Sequence, residues 1–290
     1  MEKISKAQIK LVRSLQIKKF RDETGLFVAE GEKCVEELRK GFEVVYNIKP
    51  LPNPLLERGD IDADRKQNAD ADRVLLATPK EIEQMSGLRT PQGIVGVFKK
   101  RPIEDWRLKI EDIILVLDGI QDPGNLGTII RTCDWFGVHE IVCSLDTADC
   151  YNPKVVQATM GALARVNLCY LNLPHWLEGI RNQESGIRIY GTLLEGKDMY
   201  EVMRPASLPD RAQTGLRPDR AQTVDADKAQ TIIVMGNEGN GISAEVRKLI
   251  THPIRIPSYP QNGVSEVVES LNVSIATAIV LAEFRRAQVH

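Results

Sequence analysis

Short apolar runs bounded by turn residues divide the chain into two stretches of different texture. Over residues 1–98 a basic segment with helical spacing leads into Leu26-Phe27-Val28-Ala29-Glu30-Gly31, which predicts a short strand and a turn. A helix is predicted over Glu32–Lys40, with Gly41 placed to terminate it. A second strand is predicted over Glu43–Ile48. The Pro- and Asp-rich stretch 50–73 reads as an exposed loop, and the apolar run within Pro91–Phe98 as a buried strand. The polar stretch from Lys99 to about residue 110 reads as a linker.

From residue 111 onward apolar runs alternate with helical patterns. Strands are predicted at Ile113–Leu117, Glu140–Cys143, Ile187–Leu194, Thr231–Met235 and Pro253–Ile256. Strands interleaved with helices specify an α/β fold with a mainly parallel sheet covered on both faces. Ligands in such sheets sit at the carboxyl ends of the strands. The stretch 204–230 breaks the pattern and nearly repeats itself, Asp210-Arg211-Ala212-Gln213-Thr214 being echoed by Asp219-Arg220-Ala221-Gln222-Thr223. A polar, Pro-containing duplication buries little, so it reads as a mobile insertion.

Two domains suit a length of 290 residues: 1–98 and 111–290, joined by 99–110. No apolar run reaches the roughly 18 residues that span a bilayer, and no apolar stretch follows the basic N-terminus. The reading is a protein of the cytoplasm, without membrane attachment. Five cysteines form no CxxC pair and are odd in number, which fits neither a disulfide framework nor a metal site. A net charge of −2 excludes coating of nucleic acid by charge alone. Charge is uneven, however: Lys3, Lys6, Lys10, Arg13, Lys18, Lys19 and Arg21 face only Glu2 within residues 1–21, a segment suited to phosphate contact or to a solvated helix face.

Three strand-end motifs carry the chemistry. Asp118-Gly119-Ile120-Gln121-Asp122-Pro123-Gly124-Asn125-Leu126-Gly127 runs from a strand into a helix bearing Arg131. With the helix beginning near Asn125, Arg131 falls in its second turn; a helix cap and a surface ion pair are the alternative roles of these two residues. Met235-Gly236-Asn237-Glu238-Gly239-Asn240-Gly241-Ile242-Ser243 lacks the Walker lysine, and its glycines let backbone amides approach a ligand. Its GxGxxA spacing to Ala244 also admits a dinucleotide-binding oxidoreductase, although few residues follow for the rest of such a domain. The third motif, Ser270-Leu271-Asn272-Val273-Ser274-Ile275-Ala276, opens a helix apolar almost all round to Phe284, with Ser270 suited to its N-cap and Asn272 to local hydrogen bonding. Such a helix is buried within the domain or between two copies.

In this order these segments resemble the three signature motifs of the SpoU (TrmH-like) branch of the SPOUT RNA methyltransferases: the NxGxxxR of Asn125, Gly127 and Arg131, the GNEGxG of Gly236–Gly241, and the SLNVSxA of Ser270–Ala276. Phe27–Gly31 and Thr90–Val95 are similar to the small substrate-binding domain of the larger members. The resemblance implies transfer of a methyl group from S-adenosylmethionine to a ribose 2'-hydroxyl of tRNA or rRNA, a C-terminal parallel sheet domain with a trefoil knot, and a homodimer to which residues 270–289 contribute. It implies donor contacts at Thr192, Gly236, Ile256 and Leu271, and catalytic roles for Asn125, Arg131, Glu238, Ser270 and Asn272. Guanidinium groups are strong bases that stay protonated in proteins, so Arg131 is better suited to grip phosphate and stabilise an oxyanion than to act as base. An RNA-binding module of the same fold without catalysis is the other reading; retention of Asn125, Arg131, Glu238 and Asn272 opposes it. The chain departs from the family in a longer loop over 258–269 and in Gln157, where many relatives have arginine.

Overall fold

The computed structural model describes residues 2–51, 73–101, 113–183, 186–203, 230–259 and 270–288. The insertion expected over 204–230 and the longer loop expected over 258–269 fall almost wholly outside these, as do most of the loop expected over 50–73 and most of the linker expected over 99–110. The described residues form two compact units.

The first unit contains, in chain order, β1 (Glu2–Lys3), α1 (Lys6–Ser14), α2 (Lys18–Thr24), β2 (Leu26–Glu30), α3 (Glu32–Arg39), β3 (Val44–Pro50), β4 (Val74–Ala77), α4 (Pro79–Met85) and β5 (Val95–Lys99). Its sheet has the order β1-β4-β3-β5-β2, with β3 and β4 parallel and β5 antiparallel to both β3 and β2. Alternation along β2 and β5 sends Val28, Val95 and Val97 to one core with Val12, Leu15, Ile82 and Met85. Phe27 and Phe98 leave the other face, stacked at 5.4 Å. The helices α1 and α4 start with reciprocal caps, Ser5 with Gln8 and Thr78 with Glu81. The sequence pattern predicts neither β1, which has no apolar residue, nor β4, a run of only four apolar residues, Val74–Ala77.

Gly41 does not end α3 in a left-handed turn; Lys40 caps that helix in a right-handed conformation. The requirement for glycine is steric, because a Cβ on Gly41 would stand 2.4 Å from the carbonyl oxygen of Ala164. Ala164 belongs to a later stretch, Ala148–Asn167, which is part of this first unit together with Leu126–Arg131. Arg21 departs from the expected phosphate-facing role. It is 1 % exposed, donates to Asp149 at 2.7 and 3.1 Å, and donates to the Leu15 carbonyl at 2.9 Å.

From Ile113 onward the elements are β6 (Ile113–Asp118), α5 (Pro123–Trp135), β7 (Glu140–Ser144), α6 (Pro153–Thr159), β8 (Asn167–Leu171), α7 (Leu173–Gln183), β9 (Arg188–Asp198), α8 (Met199–Val202), β10 (Thr231–Gly236), α9 (Ala244–Arg247), β11 (His252–Arg255) and α10 (Val273–Gln288). The strands form one sheet of order β11-β9-β10-β6-β7-β8, and the pairings of β10 with β6 and β9, of β6 with β7 and of β11 with β9 are all parallel. Every residue of β6 and of β7 is buried, as expected for strands covered on both faces. β8, half-buried along most of its length, lacks the continuous apolar run by which the others were predicted. The order places β6 beside β10, although 112 residues separate the end of one from the start of the other. That adjacency brings the loops after β6 and β10 together at the carboxyl edge, where parallel sheets bind ligands.

Candidate active site

Each of the two loops is fastened before any ligand arrives. After β6, the Gly119 amide donates to Ser144 Oγ at 2.8 Å; Ser144 Oγ lies 2.9 Å from Thr147 Oγ1, which donates to the Leu117 carbonyl at 3.2 Å. After β10, the Asn237 side chain accepts from the amides of Gly239 at 2.9 Å and Asn240 at 3.0 Å, while its amide donates to the Gly119 carbonyl at 2.7 Å. Asn237 and Gly241 exchange both backbone hydrogen bonds at 2.9 Å. Gly236 sits beneath this turn with no room for a side chain, since a Cβ would lie 2.3 Å from the Gly241 carbonyl carbon. The carboxylate of Asp118, 8 % exposed, accepts from the Ser243 amide at 2.7 Å and ties the second loop to the end of β6. Asp118, Asn237 and Ser243 were not singled out from sequence; a polar residue closing an apolar strand is the signal that identifies Asp118.

Asn125 is neither the start nor the cap of its helix. Asp122 caps α5, accepting from the Asn125 amide at 2.8 Å, and Pro123 occupies the first helical position. This frees the Asn125 side chain, which donates to Glu238 Oε1 at 2.6 Å and accepts from Asn272 Nδ2 at 2.9 Å. Asn272 Oδ1 in turn accepts from the Ser274 amide at 3.0 Å and hydroxyl at 2.6 Å. A directional chain therefore runs from Ser274 through Asn272 and Asn125 to the Glu238 carboxylate, joining all three motifs. Asn272, rather than Ser270, caps α10: its carbonyl accepts the Ala276 amide at 2.9 Å. Ser270 is exposed two residues earlier.

Arg131 lies in the third turn of α5, because the helix begins at Pro123. It is exposed, and among the described residues no carboxylate forms an ion pair with it. Of the positions matched to donor contacts, Gly236 ends β10 and Thr192 lies on the paired strand β9, with Thr192 Oγ1 3.5 Å from the Val234 carbonyl and 3.9 Å from Met235 Sδ. Leu271 precedes Asn272 and is 50 % exposed; Ile256 follows β11 and is half-buried.

Residues 112–282 match the SpoU rRNA methylase family, and residues 6–96 match the MRM3-like substrate binding domain. The chain is 27 % identical over 285 residues to the 23S rRNA (guanosine(2553)-2'-O)-methyltransferase RlmP of Bacillus subtilis, covering 98 % of each chain. Among solved structures it resembles a TrmH-family protein of Porphyromonas gingivalis, with TM-score 0.76 and 35 % identity over 98 % of both chains. It also resembles the AdoMet-bound rRNA methyltransferase of Sinorhizobium meliloti, with TM-score 0.73 and 29 % identity over 99 % of this chain and 97 % of the other. With its three motifs joined at one sheet edge, the chain belongs to the SpoU rRNA methylase family.

Proposed function

We infer that this protein transfers the methyl group of S-adenosylmethionine to a ribose 2'-hydroxyl of RNA. The observation that carries the reading is the Glu238–Asn125–Asn272 chain, which links residues from all three motifs at the ligand-binding edge of the sheet. Bound S-adenosylmethionine supplies a sulfonium-activated methyl group for in-line attack. Thr192, Gly236, Ile256 and Leu271 hold the donor, largely through backbone groups, and Asn125, Glu238, Ser270 and Asn272 orient ribose and arginine. Arg131 grips the substrate phosphate and stabilises the oxygen as charge develops on it, and phosphate or water takes the proton. Titration calorimetry tests the donor assignment: S-adenosylmethionine binds and NAD does not, and the reverse result restores the oxidoreductase reading of Gly239–Ala244.

In this reading residues 1–98 select the RNA, which is rRNA or tRNA, and residues 111–290 hold the donor in a knotted strand-end site. The basic stripe of α1 supports the first part. Lys6, Lys10 and Arg13 recur at one-turn spacing, all are exposed, the helix has no acidic residue, and among the described residues none of the three has an ion-pair partner. Lys6 stands in the first turn, where a cation opposes the helix dipole, and Arg13 in the last, where one favours it, so the dipole does not account for the stripe; three exposed cations on one face suit a polyanionic partner. Replacing the three by alanine is expected to weaken RNA binding and to reduce the slope of log affinity against log salt by about 2 to 3, at about 0.7 to 0.9 per lost phosphate contact. An unchanged slope assigns the stripe to solvent.

The protein acts as a homodimer in the cytoplasm. Support for the dimer comes from α10, where Leu271 just before the helix and Ile275 within it are 50 % and 54 % exposed, one turn apart. Sedimentation at micromolar concentration is expected to give a dimer and Ile275→Glu a monomer; a monomeric native protein contradicts this.

A further inference from the structure

Gly127 and Arg131 are four residues apart on α5 and share a face of that helix. At Gly127 the helix rests on α6 with no side chain of its own in the contact: a Cβ there would stand 2.4 Å from Ala158 Cβ and 2.9 Å from the Val155 carbonyl oxygen. The backbone of α5 meets the Ala158 methyl and the backbone of α6 at this point, so a further methyl group is accommodated only by displacing one helix from the other.

The helix α6 is itself held firmly. Its stretch, 148–167, is bound to the N-terminal sheet and helices by the buried Arg21–Asp149 pair, by Tyr151 packed on Phe27 at 4.8 Å, and by Cys34 Sγ 3.9 Å from the Val156 carbonyl oxygen. Arg101 adds hydrogen bonds to Ala164 at 2.5 Å, Val166 at 2.9 Å and Asn167 at 2.7 Å. The turn after α6 is equally close, since a Cβ on Gly161 would fall 2.3 Å from Glu37 Cβ. Leu126–Arg131, 148–167 and the N-terminal sheet thus belong to one compact unit.

We propose that Gly127 is a positioning residue: its side-chain-free seat on α6 fixes where α5 carries Arg131, and thereby ties the arginine to the N-terminal RNA-selecting unit. This rests on the reading of Arg131 as the catalytic arginine. A displacement of about 1 Å costs on the order of a hundredfold in rate when the displaced group is part of a preorganised site.

The test compares Gly127→Ala, Ala158→Gly, their combination and Arg131→Ala in single-turnover methyl transfer, with donor and RNA affinities measured separately. Gly127→Ala is expected to lower the rate at saturating RNA about ten- to a hundredfold with both affinities nearly unchanged. Ala158→Gly in the same chain removes the nearest obstruction and is expected to restore part of the loss. A normal rate for Gly127→Ala overturns the proposal, and so does absence of any rescue. Should Gly127→Ala fail to fold, Ala158→Val crowds the same seat from below and is expected to lower the rate with affinities retained; a normal rate there overturns the proposal equally. If Arg131→Ala alone is fully active, the reading of the arginine fails; if it is inactive while Gly127→Ala is normal, only the positioning role fails.

Discussion

Replacing Arg131 by alanine is expected to slow single-turnover methyl transfer about a hundred- to thousandfold, the loss typical of one preorganised oxyanion stabiliser. Donor affinity is expected to stay nearly unchanged, because Thr192, Gly236, Ile256 and Leu271, the positions proposed to hold the donor, all lie outside α5. The side chain is exposed and, among the described residues, has no carboxylate to pair with, so its removal leaves no buried charge behind. Loss of activity with an unchanged unfolding temperature therefore reports chemistry and not stability. Arg131→Lys keeps a charge and loses the planar fork, and little activity is expected to return. Abolished donor binding in a folded Arg131→Ala protein places the residue on the donor side; near-normal transfer removes it from catalysis.

Arg21 presents the opposite case, a cation whose loss is felt in stability. Its side chain is 2 % exposed against 12 % for Asp149, and a third hydrogen bond goes to the Leu15 carbonyl. Arg21→Met keeps an apolar stem but strands the Asp149 carboxylate, which in a buried pair costs about 3 to 5 kcal/mol. At roughly 2 to 4 °C per kcal/mol, the unfolding temperature is expected to fall by about 10 °C. Arg21→Met combined with Asp149→Leu is expected to recover much of this, since apolar replacement of both partners removes the uncompensated charge. A fall of under about 1 kcal/mol for Arg21→Met identifies the pair as one that behaves like an exposed bridge.

Arg21 also marks a limit of what the sequence makes legible. Its basic neighbours Lys6, Lys10 and Arg13 are exposed as their spacing predicts, whereas Arg21 is claimed by a carboxylate 128 residues away. The apolar runs of β6 and β10 are legible, and with them the strand-end location of the motif loops. The partners within the site are not, because Asn125 meets Glu238 across 113 residues and Asn272 across 147, distances set by strand order and not by local pattern. Local competition hides the rest. Asp122 outranks Asn125 as cap and shifts the helix start to Pro123, and Asn272 takes the cap expected of Ser270. Gly41 and Gly127 read as ordinary turn or motif glycines, and only the approach of Ala164 and of Ala158 shows why no larger residue serves. Division of the chain by composition likewise gives no hint that 148–167 packs with the N-terminal sheet.

The most direct test of ribose methylation uses rRNA and tRNA incubated with the protein and S-adenosylmethionine labelled in its methyl group. Alkali cleaves RNA through the free 2'-hydroxyl, so a methylated ribose leaves its phosphodiester intact. The expected result is label recovered in an alkali-resistant dinucleotide, traced to a single nucleotide of one RNA and absent with Arg131→Ala. Label found only in alkali-sensitive mononucleotides, as from methylation of a base, or no label in either RNA despite bound donor, contradicts the account.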